Sequence, residues 1–185
     1  MGVAKIPSSR IVLAGHSLGT AVVGGIVAHY AKTETDFAGV VLVSGFSHLP
    51  TMLAQYRFGG IIPVFGPIRF SPRLMTRLHR FIVDDWHTKA RIQTMVEAAT
   101  GRTRLVILHG AHDRDIPFNE SHKLFEAAIR GAQGEVSQTE IAFDDGSLIR
   151  EWACGNTTIR YEIVAYAGEY CIKPVSNLST LIYPQ

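Results

Sequence analysis

The stretch Ile11-Val12-Leu13-Ala14-Gly15-His16-Ser17-Leu18-Gly19-Thr20-Ala21 decides how the rest of the chain is read. Ile11 to Ala14 is a short β-branched apolar run of the kind that forms a buried parallel strand. Thr20 to Ala31 is small, apolar and free of proline, and predicts a helix. Gly-x-Ser-x-Gly between a strand and a helix predicts a nucleophile elbow at Ser17. The spacing has a chemical reason. A turn this tight leaves room only for glycine two residues before and after the serine, and it lifts the hydroxyl above the sheet. The helix that starts there offers backbone N–H groups and the positive end of its dipole to a developing oxyanion. The bland alternative is a glycine–serine loop that matches by chance, and such a loop has no reason to sit between a strand and a helix.

Outward from the elbow, Gly39 to Ser44 and Arg104 to His109 are two further continuous apolar strands. Ile159 to Ala165 is a fourth, more alternating and expected nearer a sheet edge. A helix is expected from about Asn119 to Arg130, stopped by Gly131. Strands alternating with helices predict an α/β fold with a parallel sheet and right-handed crossovers. Residues 131–158, with Gly131, Gly134, Asp144-Asp145-Gly146 and Gly155-Asn156, read as a turn-rich surface excursion.

The interval from Ser47 to Gly101 is too long for a simple crossover. Phe58, Ile61, Ile62 and Phe65 belong to an apolar stretch broken by Pro63, Pro67 and Pro72. Ser71-Pro72 then reads as an N-cap and first helical residue, with Phe70 and Met75 as a hydrophobic staple. Leu74, Leu78, Phe81 and Ile82 share one face of that helix, and Arg73, Arg77 and Arg80 the opposite one. A cap over the site and an ordinary helical layer with a solvated basic face both fit this pattern.

The 185 residues suffice for one domain, and 46% hydrophobic against 18% charged residues is a globular composition. A net charge of +2 gives no reason to expect a nucleic-acid partner. Cys154 and Cys171 lack metal or redox spacing and read as two unrelated thiols. No apolar run approaches the ~18–20 residues of a membrane span, and no signal peptide is expected ahead of the first strand. The compartment is left open.

Together with the segment His109-Gly110-Ala111-His112-Asp113-Arg114-Asp115-Ile116-Pro117, the elbow and the apolar insertion resemble the α/β-hydrolase superfamily. Ile6 to Ala21, Phe37 to Val43 and Asp85-Trp86-His87-Thr88 resemble its monoacylglycerol and lysophospholipid lipase branch. The resemblance implies a partial α/β-hydrolase fold, the C-terminal half of the parallel sheet with helical crossovers and a helical cap at residues 47–101, within a single domain spanning 1–185. It implies a serine ester hydrolase acting through a Ser-Asp-His acyl-enzyme mechanism, with Ser17 as nucleophile, Asp113 as acid and the Leu18 N–H as one oxyanion donor. Asp115 is the alternative acid. His16, Phe58, Ile61, Ile62 and Phe65 are the implied substrate-binding residues. The implied partner is an acyl-ester lipid, with peripheral membrane contact through Arg73, Arg77 and Arg80. No metal and no organic cofactor is implied.

Two departures bear on activity. The family strands before the elbow, with the loop giving the second oxyanion donor, have no counterpart here, so an N-terminally truncated member is expected. The family histidine follows the last strand, where this chain reads Tyr166-Ala167-Gly168-Glu169-Tyr170, and no histidine occurs after His122. Residues 169–185 are expected to be non-family sequence, either a divergent tail or a retained intron. Gly168-Glu169-Tyr170 can be encoded by GGT-GAG-TAC, which contains a splice-donor sequence. Among the remaining histidines, His109 and His112 flank the acid and are the nearest stand-ins. Impaired catalysis is therefore expected. The alternative is a catalytically inactive relative that at most binds lipid or a protein partner.

Overall fold

In the computed structural model, residues 6–33, 35–50, 52, 57–58, 62–63, 73 and 86–166 are described. A 3₁₀ turn at Ser8–Arg10 leads into β1 (Val12–His16), followed by α1 (Leu18–Ala31) and β2 (Gly39–Val43). A short ribbon, β3 (Arg57–Phe58) antiparallel to β4 (Ile62–Pro63), stands apart from the main sheet. Then come α2 (Thr88–Glu97), β5 (Thr103–Gly110), α3 (Asn119–Gly131), β6 (Val136–Ala142), β7 (Leu148–Cys154) and β8 (Thr157–Val164).

The main sheet runs in the order β1-β2-β5-β8-β7-β6. Its first four strands are parallel, with His16 beside Val43, Val43 beside Leu108 and Leu108 beside Glu162. Each new parallel strand is added on the same side of the last. Right-handed crossovers then place α1, α2 and α3 on one face. The main core is that face: Val40, Leu42, Leu105, Ile107, Ile159 and Tyr161 alternate along their strands and meet Val23 and Val27 of α1, Ile92, Met95 and Val96 of α2, and Leu124, Phe125 and Ala128 of α3. Val41, Val106 and Leu108, with Val12 and Val43, form a smaller cluster on the opposite face.

Two expectations change. Residues 131–158 are not a loop excursion, because β6 and β7 form an antiparallel hairpin that extends the sheet beyond β8. Asp144-Asp145-Gly146 is the tip of that hairpin. Gly146 has φ 85°, the Asp145 carboxylate accepts the Ser147 N–H at 2.9 Å, and the Phe143 N–H closes on the Ser147 carbonyl at 2.9 Å. β8 therefore lies inside the sheet. The second change is this interior place of β8, which was expected nearer a sheet edge. Within the interval 47–101, residues 88–97 are α2, the crossover helix between β2 and β5, packed between α1 and α3. Cys154 is a buried free thiol that donates to the Gln133 carbonyl, and Cys171 lies outside the described residues.

Candidate active site

Three backbone hydrogen bonds fix the edge where the parallel strands end. The Ser17 N–H donates to the Val43 carbonyl, the Ser44 N–H to the Leu108 carbonyl and the Ala111 N–H to the Val164 carbonyl, each at 2.9 Å. Ser17, Ser44 and the 109–116 turn thus leave neighbouring strands at one level. The carboxyl ends of parallel strands are where open α/β sheets place their ligands.

Ser17 occupies the junction of β1 and α1 with φ 49° and ψ −118°. A serine at the start of a helix is ordinarily an N-cap, with extended backbone and a hydroxyl accepting from the first turn. Ser17 is not one: its backbone lies in the strained positive-φ region and its side chain makes no capping bond. The first turn is closed instead through the Ser17 carbonyl, which accepts from the Thr20 N–H at 3.0 Å and the Thr20 hydroxyl at 2.6 Å. A Cβ on Gly15 would lie 2.5 Å from the Gly19 carbonyl oxygen, so glycine is required there. At Gly19 a Cβ would meet nothing within 4 Å among the described residues. The expectation that both glycines are forced by space therefore holds only for the first. Leu18 is the first residue of α1, where the N–H has no intrahelical acceptor.

Asp113 is buried in the turn after β5. One carboxylate oxygen accepts the Asp115 N–H at 3.1 Å and the Ile116 N–H at 2.9 Å. The other lies 3.3 Å from His109 Nε2. Burial pushes the Asp113 carboxyl up, but His109, the Ile116 N–H and the Ser44 hydroxyl together hold it below its usual range. His109 Nε2 is also 2.9 Å from the Ile116 carbonyl, which can only accept, so Nε2 carries a proton. Its Nδ1 is buried with no hydrogen-bond partner among the described residues.

His109 is not placed to serve Ser17. It sits on β5 and β2 separates it from β1, a distance of two strand spacings or about 10 Å. By strand alternation its ring lies on the helix face with Leu105 and Ile107. His112 is exposed on the turn. Asp115, the alternative acid, is buried and its Oδ1 has no hydrogen-bond partner among the described residues. His16 is exposed at the end of β1. Phe58 and Ile62 are backbone partners in the β3–β4 ribbon, Arg73 is exposed, and Ile61, Phe65, Arg77 and Arg80 lie outside the described residues. β8 is followed by Ala165 and Tyr166, after which the description ends.

Two groups in this neighbourhood carry no motif. Ser44 repeats the Ser17 geometry after β2, with φ 48°, but is buried against Asp113. Glu120 on α3 is buried and accepts from the Ser47 N–H at 3.1 Å, the Ser47 hydroxyl at 2.5 Å and Lys123 Nζ at 2.5 Å. It ties the segment after β2 to α3. Only the strand-end position of Ser44 and the Glu120–Lys123 spacing hinted at these contacts.

No family model and no curated protein matches the sequence. Among solved structures the chain is similar to an esterase from Rhodococcus sp. ECU1013, with 13% identity and a TM-score of 0.44 over 95% of this chain and 66% of that one. It is also similar to a monoacylglycerol lipase from Paleococcus ferrophilus, with 18% identity and a TM-score of 0.38 over 86% of this chain and 60% of that one. For an acylaminoacyl peptidase from Pyrococcus horikoshii the values are 14% and 0.40, over 66% of this chain and 17% of the peptidase. The chain thus spans about a sixth of the peptidase and under two thirds of the lipase. Likeness of this order assigns no reaction to it.

Proposed function

We propose that this chain is a serine ester hydrolase by ancestry, of the α/β-hydrolase type, with Ser17 as the nucleophile, Asp113 as the acid and the Leu18 N–H as an oxyanion donor. One observation supports this most: Ser17 stands at a strand–helix junction in strained positive-φ geometry with its hydroxyl uncommitted to capping. Strain of that kind, about 1–3 kcal/mol, persists where function or surrounding structure demands it.

The chemistry is acyl transfer. The Ser17 Oγ attacks an ester carbonyl, its proton passes to a base, and the oxyanion is stabilised by the Leu18 N–H and the positive end of α1. His109 lies on a strand separated from β1 by β2, and no histidine follows His122 in the sequence. On this reading the chain is a poor catalyst. Loss of one triad member usually leaves only ~10³–10⁴-fold acceleration over water. The proposed substrate is an acylglycerol or lysophospholipid, whose acyl chain suits the apolar residues Phe58, Ile61, Ile62 and Phe65 with His16 at the rim. Arg73, Arg77 and Arg80 would meet an anionic lipid surface. The second reading, an inactive relative that binds lipid or a partner, is favoured by His109, which already engages the carboxylate that a catalytic histidine would need.

Prolonged incubation with excess fluorophosphonate, followed by peptide mass spectrometry, tests the assignment. The expected result is a slow adduct on Ser17 that is absent from Ser17→Ala. An adduct on another serine that persists in Ser17→Ala overturns Ser17 as nucleophile, and no adduct at all favours the inactive reading.

A further inference from the structure

The tip of the β6–β7 hairpin carries Asp145-Gly146, the one Asp-Gly pair in a chain that has no Asn-Gly. Every residue from Val136 to Gly146 is exposed. The turn is closed by the Gly146 N–H on the Phe143 carbonyl at 3.0 Å and by the Phe143 N–H on the Ser147 carbonyl at 2.9 Å. Asp145 precedes the left-handed Gly146, and its carboxylate accepts the Ser147 N–H at 2.9 Å. That bond folds the side chain forward over the Asp145–Gly146 peptide, toward the Gly146 nitrogen. Glycine leaves this nitrogen unshielded. A Cβ at Gly146 would meet only Ala165 among the described residues, at 3.7 Å. The tip is also fastened to the end of β8, because the Ser147 hydroxyl accepts the Ala165 N–H at 3.1 Å.

We propose that Asp145 is a site of spontaneous isoaspartate formation, and that the product releases the hairpin tip from the end of β8. The Gly146 nitrogen forms a bond to Asp145 Cγ and gives up its proton. The bond from Cγ to its hydroxyl oxygen breaks, and proton and hydroxyl leave together as water. A second water then adds to the former main-chain carbonyl of Asp145 and breaks its bond to the Gly146 nitrogen. The chain now runs through Cβ and Cγ, one atom longer, with a free carboxylate on Cα. No reactant beyond water is consumed. The obstacle is the bond from the Gly146 N–H to Phe143, which the nitrogen must leave before it can attack. One exposed turn hydrogen bond opens locally and slows the step by no more than about ten-fold. Asp36, Asp113, Asp115 and Asp144 are followed by Phe37, Arg114, Ile116 and Asp145, whose side chains crowd the attacking nitrogen. Asp113 and Asp115 are also buried. In the product, the carboxylate that held the Ser147 N–H has become part of the main chain, and a longer tip no longer fits the closing bonds of the turn. Ser147 therefore withdraws from Ala165. Ala165 follows Val164, whose carbonyl holds the Ala111 N–H of the turn that carries Asp113.

Incubation of the full 185-residue protein near neutral pH at physiological temperature, sampled over several weeks, tests this. Isoaspartate is read by methyl transfer from S-adenosylmethionine with an isoaspartate-specific methyltransferase, and its position by fragmentation of the tryptic peptide Gly131 to Arg150. The expected result is accumulation at Asp145, at a rate within about ten-fold of the same chain unfolded in urea, and no methyl acceptance at this position in Asp145→Glu with unchanged circular dichroism. Hydrogen exchange of the aged protein should be faster at Ser147 and Ala165 and unchanged at Leu105 to Leu108. Conversion in urea but none in the folded chain, isoaspartate at another residue in place of Asp145, or unchanged exchange at Ala165 in the converted protein overturns the proposal.

Discussion

At Ser17 a φ of 49° and a ψ of −118° place a side chain where few residues rest without strain, and the surrounding backbone enforces it. The two glycines of the motif contribute unequally. At Gly15 an added methyl would strike the Gly19 carbonyl oxygen and carbon and the Thr20 nitrogen, all backbone atoms within 2.9 Å. Gly15→Ala should cost about 3 kcal/mol or more. Gly19 has open space in the first turn of α1. There Gly19→Ala should be neutral or stabilise by up to ~1 kcal/mol, since alanine loses less backbone entropy in a helix. Thermal or urea unfolding of the two variants checks the contrast. Equal destabilisation would show that Gly19 is also held by a close neighbour. The motif was legible in the sequence because it is local. The partners of Asp113 were not, because the Asp113–His109 contact depends on how the turn after β5 folds back.

Among the elements, β1, α1, β2, β5, α3 and β8 were legible because apolar runs and helical periodicity survive in each. β6 was not. Val136 to Ala142 is exposed on both faces, so no burial pattern marks it as a strand. The Asp-Gly at 145–146, a strong hairpin signal, was present but read as a loop. Glu120 was equally silent, because its value lies in joining α3 to the segment after β2. Burial pushes the Glu120 carboxyl up, but Lys123 and both Ser47 donors hold it below its usual value, as the partners of Asp113 do for that residue. A lowered native pKa means that the unfolded chain binds protons first as pH falls. The contribution is complete above the ordinary carboxylate range and is lost progressively below about pH 5. Melting temperature should therefore drop as pH goes from 5 to 3. Glu120→Gln should lower stability at pH 7 by roughly 1–3 kcal/mol and flatten that acid slope. An unchanged slope would mean that Glu120 is not the group that titrates.

For the whole molecule, the layered arrangement sets which groups can meet. Successive parallel strands with helices on one face put Ser17, Ser44 and Asp113 along a single edge. The same arrangement separates Ser17 from His109 by an intervening strand. Proximity of His109 to the acid in sequence suggested a stand-in base; strand order and the bond to the Ile116 carbonyl argue against it. Replacing His109 with Gln should thus lower stability through the lost Asp113 and Ile116 contacts and leave Ser17 labelling by a fluorophosphonate unchanged. Faster or abolished labelling would instead tie His109 to the nucleophile.

We propose that Ser17 is a nucleophile paired with Asp113 as acid and left without an activating base. Turnover of a short-chain p-nitrophenyl ester by the purified 185-residue protein is measured beside Ser17→Ala. The two proteins are expected to differ by little more than the uncatalysed background. Robust hydrolysis by the parent chain that disappears in Ser17→Ala would contradict it and require a base within reach of Ser17.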